Sequence, residues 1–169
     1  MPTEKEVYES HAYQYERLIL REDYQKNLPK EVRRIRDFRG LCVLEFGAGT
    51  GRLARFLAQD AKTVAASDLS HHMLSQSKGI LEENSKNNTS LCVADMRQTP
   101  YSAHTADMVI AGWSFCYLAV WGAEKWFQEL ELGLKEAQRL LKPGGVFILF
   151  ENFGTGFETP TPPPHLSDY

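Results

Sequence analysis

Nowhere in this 169-residue chain does an apolar run approach the length of a membrane span, so no membrane-embedded part is expected. The opening stretch MPTEKEVYES is polar and lacks the apolar core of a secretory leader, which points to a cytoplasmic protein. Cysteine is scarce. Cys42, Cys92 and Cys116 are odd in number, lie in or beside apolar runs, and show neither C-x-x-C nor Cys/His ligand spacing. They read as small buried hydrophobes, and no metal site is expected. A basic excess is missing too: 19 Lys and Arg face 22 Asp and Glu, for a formal charge of −3, which disfavours a dedicated nucleic-acid binder. Two phosphate-binding signatures are also absent. The dinucleotide pattern G-x-G-x-x-G fails because its third glycine comes one residue early, at Gly51, with Arg52 in the expected slot. No Gly-Lys-Ser/Thr follows the turn, so it is not a P-loop.

What is present is the composition of an ordinary globular domain, 43% hydrophobic and 24% charged. The length suits one domain with a substantial core. Apolar runs bounded by turn residues read as strands over 41–46, 63–68, 90–95, 107–113 and 145–151. Helical stretches separate them: GRLARFLAQD, SHHMLSQSKGILEEN and the long GAEKWFQELELGLKEAQRLL. Alternation of this kind predicts an α/β fold, a doubly wound, mainly parallel sheet with helices on both faces. In the long segment Trp126, Phe127, Leu130, Leu134, Ala137, Leu140 and Leu141 recur at spacings of three and four, which predicts one core-facing stripe. The following KPGG reads as a stop and a turn into the last strand.

Residues 1–40 read as a helical lead-in, 41–151 as the core, and 152–169 as a Pro-rich tail or a cut-short continuation, its triple proline 162–164 favouring extended chain. The cations Lys30, Arg33, Arg34, Arg36 and Arg39 are tempered by Glu31 and Asp37 and read as a solvated face. His71 and His72 read as exposed residues at a helix start.

The segment VLEFGAGTGRLARFL, residues 43–57, asks what ligand needs so bare a backbone. A strand ending in a glycine turn and feeding a helix presents unpaired N–H groups and a positive helix end at the sheet's carboxyl edge, where open α/β sheets bind ligands. Glu45, two residues before Gly47, suits a ligand bearing positive charge better than a pyrophosphate. Asp68 closes the second strand, where a carboxylate can accept from both ribose hydroxyls. Asp95 at the third strand end can accept from an adenine amino group, with Met96 packing on the ring. Plainer roles stand beside these: helix caps for Glu45 and Asp68, a turn residue for Asp95.

The set E-F-G-A-G-T-G, S-D-L-S-H-H-M-L, A-D-M and L-K-P-G-G-V-F resembles the class I S-adenosylmethionine-dependent methyltransferases, in particular those acting on small molecules, over about residues 8 to 151. The resemblance implies that Glu45 and the Gly47, Gly49, Gly51 turn hold the methionine half of S-adenosylmethionine. It implies Asp68 on the ribose, Leu69 and Met73 against the adenine, and Asp95 with Met96 at the adenine edge. Gly112 and Trp113 would contact the methionine amine through their backbone, and Tyr15 would cover the cofactor carboxylate. Trp113, Phe115, Tyr117 and Trp121 are either core or an acceptor pocket. The implied reaction is direct displacement, giving S-adenosylhomocysteine, with a small-molecule methyl acceptor and no assignable base. The segment AGWSFCYLA lacks both the N/D-P-P-Y/F signature and the Pro-Cys pair of nucleic-acid methyltransferases. An RNA or protein methyltransferase and a cofactor-binding module without catalysis remain as alternatives. The family's last two strands are not found after residue 151, which predicts an uncovered sheet edge and self-association.

Overall fold

A computed structural model describes residues 4–23, 25–84, 87–151, 159 and 161. The expected Pro-rich tail lies outside the described residues, Thr159 and Thr161 aside. Three short helices lead in: α1 (Glu4–Ser10), α2 (Ala12–Ile19) and α3 (Leu28–Ile35). Five strands follow, β1 (Cys42–Phe46), β2 (Thr63–Asp68), β3 (Thr89–Val93), β4 (Ala106–Gly112) and β5 (Leu141–Phe150), joined by α4 (Arg52–Asp60), α5 (His71–Asn84), α6 (Cys116–Gly122) and α7 (Trp126–Leu140).

The strands form one parallel sheet in the order β3-β2-β1-β4-β5. Order reverses at β1, so the crevice between the β1 and β4 ends is the switch point where such sheets take ligands. Side chains alternate across the strands. Val43, Met108 and Ile110 pack with Leu53, Ala54 and Leu57 of α4 in one core. Leu44, Phe46, Val109 and Ala111 pack with Ala137 and Leu140 of α7 in the other. Glu45 shares the Val43 face and therefore lies toward the start of α4.

Several elements depart from expectation. β3 ends at Val93, which leaves Asp95 in a tight turn whose Gln98 N–H donates to the Asp95 carbonyl at 3.0 Å. KPGG lies inside β5 instead of before it. Pro143 has no N–H to offer the Arg139 carbonyl, which accepts from His104 N–H at 3.0 Å instead. Pairing with β4 therefore begins at Leu141, and the surplus residues form a bulge between the Ala106 and Met108 pairings, with Gly144 at φ +78°. The helix α6 had no sequence signal as a separate element. The α7 stripe is only partly right: Phe127 and Leu134 are 66% and 48% exposed, and the core face runs through Gly133, Ala137 and Leu140. Gly133 explains the rotation, since a Cβ there would stand 3.1 Å from the Phe115 ring, so α7 lies close over Phe115 on this line. The three cysteines are half-buried, not core residues.

Candidate active site

The three glycines after β1 have positive φ for different reasons. A Cβ on Gly47 would lie 2.3 Å from Ser114 Cβ, and one on Gly51 would lie 2.5 Å from Ser77 Oγ. Those two serve close packing of β1, the β4 end and α5. At Gly49 a Cβ would meet nothing within 4 Å, and this residue faces a cavity of about 420 Å³, within the usual range for small-molecule sites.

Glu45 reaches that cavity from below. It is 1% exposed, and its Oε2 is buried without a hydrogen-bond partner. Burial, reinforced by the Asp68 charge and opposed by the Ala54 N–H and Arg55, pushes its carboxyl up to about 8. Asp68 Oδ2 accepts from Gly49 N–H and Oδ1 from Ser70 N–H, each at 2.8 Å. Burial raises its carboxyl, and these N–H groups pull the other way. With the Leu69 N–H as a further partner, the carboxylate still keeps acceptor capacity for a ligand. Asp68 thus braces the glycine turn, while the cap of α5 falls to Ser70, whose Oγ accepts from Met73 N–H at 3.2 Å.

Beyond β3, Asp95 accepts from Arg97 N–H and Nε at 2.9 Å each, and these bonds hold its carboxyl below the usual range. Arg97 also pairs with Glu129 of α7. The two readings of Asp95 coexist: it is a turn residue and it lines the cavity. At the β4 end, Trp113 has φ +56°. Its N–H donates to the Phe150 carbonyl at 2.7 Å, and Arg52 lies 4.0 Å over its ring.

The lead-in helices roof the cavity. Ser70 Oγ donates to the Tyr8 carbonyl at 2.7 Å, and Ala12 N–H donates to His72 Nε2 at 3.3 Å. Glu16, 5% exposed, pairs with Arg55 at 2.6 Å. Tyr15 enters from this roof, its hydroxyl pushed up to about 12 by burial and then by Tyr117 and Glu22.

The cavity gathers Tyr15, Glu45, Gly47, Gly49, Asp68 and Leu69, with Asp95 and Met96 from the turn after β3, Gly112 and Trp113 from the β4 end, and Tyr117 and Trp121 from α6. Three expected residues lie elsewhere. Gly51 packs on Ser77, Met73 of α5 is fully buried, and Phe115 is core, between Phe46 and Phe147 at 6.5 and 5.4 Å. Sequence reasoning missed Tyr8, Ser70, Ser114, Arg97 and Glu129. The one available signal was Arg97, two residues after Asp95 in a turn-rich stretch. His71 and His72 are exposed, and among the described residues no group of three His, Cys, Asp or Glu is placed to hold a metal ion. No described helix is long and apolar enough to cross a membrane.

A parallel sheet with a glycine turn at its switch point and acids at adjacent strand ends puts this cavity where open α/β sheets take their ligands. Residues 44–149 match the methyltransferase domain family, and the chain belongs to it. It is 31% identical over 117 residues to malonyl-[acyl-carrier protein] O-methyltransferase of Pectobacterium atrosepticum, covering 69% of this chain and 40% of that protein. It is 30% identical over 134 residues to phosphoethanolamine N-methyltransferase 1 of Triticum aestivum, covering 75% of this chain and 25% of that one. The chain thus spans less than half the length of these relatives. In fold it is similar to a SAM-dependent methyltransferase from Aquifex aeolicus, with a TM-score of 0.71 and 18% identity over 92% of this chain and 80% of that one. It is also similar to phosphoethanolamine N-methyltransferase 1 of Haemonchus contortus in complex with phosphoethanolamine and S-adenosylhomocysteine, with a TM-score of 0.61 and 21% identity over 75% and 26%. The class I methyltransferase fold expected from the sequence is the fold this chain has.

Proposed function

We propose that this chain binds S-adenosylmethionine along the carboxyl edge of its sheet and transfers the methyl group to a small-molecule acceptor. The observation that carries the reading is the turn itself: Gly49 open to the cavity, braced by Asp68, with the partnerless Glu45 Oε2 below. Three properties of these residues fit the cofactor. A buried carboxyl lacking a partner is matched by an ammonium or sulfonium charge. Asp68 retains acceptor capacity toward ribose hydroxyls. Tyr15, with its hydroxyl raised to about 12, stays protonated and donates to a carboxylate.

When bound, S-adenosylmethionine supplies a methyl carbon made electrophilic by its sulfonium sulfur. The chain's residues align two reactants and exclude water, which suffices for a displacement of this type. The roof of α1 and α2 supplies the exclusion. Leu69 and Met96 offer the apolar flanks of an adenine site, and no residue is assigned as base. A small acceptor is supported by that roof and by the neutralised basic run, in which Arg33, Arg34 and Arg39 pair with Asp60, Glu31 and Asp37. Three free cysteines support a reducing, cytoplasmic setting.

Calorimetric titration with S-adenosylmethionine and S-adenosylhomocysteine tests the reading. Micromolar affinity that collapses in Asp68→Ala, with the variant's fold checked by its melt, is the expected result. Absence of heat from the folded parent chain would contradict it.

A further inference from the structure

The cavity extends past the proposed cofactor edge into a space that edge does not use. Four aromatic rings from three elements surround it. Tyr8 of α1 meets Tyr15 of α2 edge-on at 5.7 Å and Tyr117 of α6 edge-on at 5.6 Å. Tyr117 stacks on Trp121 at 4.8 Å. The Tyr8 hydroxyl donates to the Tyr117 hydroxyl at 2.7 Å, which fixes both rings across the interface between roof and core. Glu129 stands next to this group, its Cγ 3.1 Å from where a Cβ on Gly122 would be.

The charges here have a definite sign. Arg97 is shared between Asp95 and Glu129, so this trio sums to one negative charge. Arg97 engages Glu129 through Oε2, and the second carboxylate oxygen has its full acceptor capacity. Arg52, the other cation of the lining, pairs with Glu22 at 2.7 Å and lies over the Trp113 face. No lysine is among the described lining residues. A carboxylate or phosphate entering this end would meet aromatic rings, the Glu129 carboxylate and two arginines already committed to carboxylates. A cationic nitrogen meets the same surroundings favourably, through the aromatic rings and Glu129.

We propose that Tyr8, Tyr117, Trp121 and Glu129 form a subsite for the amine or alkylammonium nitrogen of the acceptor, with Tyr15 at its border with the cofactor edge. The designation as acceptor subsite rests on the methyltransferase reading; the preference for a cationic nitrogen rests on the rings and the charge balance.

The test compares choline, the carbon isostere of choline in which carbon replaces the quaternary nitrogen, and trimethylacetate. Each is titrated into the full chain with and without S-adenosylhomocysteine, followed by tryptophan fluorescence and calorimetry. Choline is expected to bind about tenfold or more tightly than its isostere, with trimethylacetate weaker than either. The advantage should shrink in Trp121→Leu, a half-exposed position, and in Glu129→Gln, which keeps the side-chain volume. Equal binding of choline and isostere, or preference for trimethylacetate, overturns the proposal. Binding of S-adenosylhomocysteine without ammonium preference overturns the subsite alone. Ammonium preference in a chain that does not bind S-adenosylhomocysteine upholds the subsite and removes the cofactor reading.

Discussion

Gly47 and Gly49 have similar backbone conformations, φ +64° and +54°, but a methyl group would meet different surroundings at each. Gly47→Ala adds left-handed strain to a clash with Ser114, together about 2–4 kcal/mol of stability. Gly49→Ala carries strain alone, about 1 kcal/mol, and places its methyl where the ligand must approach. Urea unfolding beside ligand titration checks this: Gly47→Ala should lose mainly stability, Gly49→Ala mainly affinity. Equal profiles for the two would contradict the assignment. Glu45 gives a pH signature. Its folded value of about 8 lies above the ordinary 4.5, so the folded chain holds a proton that the unfolded chain releases. The stability tied to that proton is fully present below about 4.5 and is lost as pH rises through about 8. A cation bound beside Glu45 lowers its pKa again, so binding of S-adenosylmethionine at about pH 6.5 should release a proton. Calorimetry in buffers of different ionisation enthalpy reads this directly, and Glu45→Gln should abolish it. A buffer-independent enthalpy for the parent chain would exclude the linkage. All three residues are legible in the sequence because strand-end acids and turn glycines are local features. Met73 and Phe115 are not, since burial depends on which way a side chain turns within its element.

At the level of elements, Glu16 is the most buried charged anchor of the roof. Glu16→Ala leaves Arg55 partly buried without its partner, a loss of about 3 kcal/mol. Because α1 and α2 add no strand to the sheet, the loss should fall on roof docking. Hydrogen exchange is expected to quicken over residues 4–19 while β1 and β4 keep their protection. A uniform increase across β1 and β4 would show that the roof and core unfold together. The strands and the start of α4 were readable from apolar runs and glycines. β5 was misjudged at its start because KPGG is a stop signal whose consequence, here a bulge within a continuing strand, depends on pairing with β4. α6 is seven residues long and lacks its own periodicity, and Tyr8 joins the site only because the roof folds back onto it.

For the whole molecule, net charge and surface pairing agree. The chain carries −3 overall, and its densest basic run is largely matched by neighbouring acids. Retention of single-stranded RNA at physiological salt is therefore not expected, and steeply salt-dependent binding would reopen the RNA-methyltransferase alternative. The parallel sheet, its switch point and the acids around it make one edge, the proposed site of S-adenosylmethionine. The most direct measurement is an amide chemical-shift map of the labelled chain titrated with S-adenosylhomocysteine. The largest shifts are expected on residues 47–50, on Leu69 and Ser70, and on Asp95 and Met96. Shifts centred elsewhere, or none at saturating ligand, would contradict the proposed site.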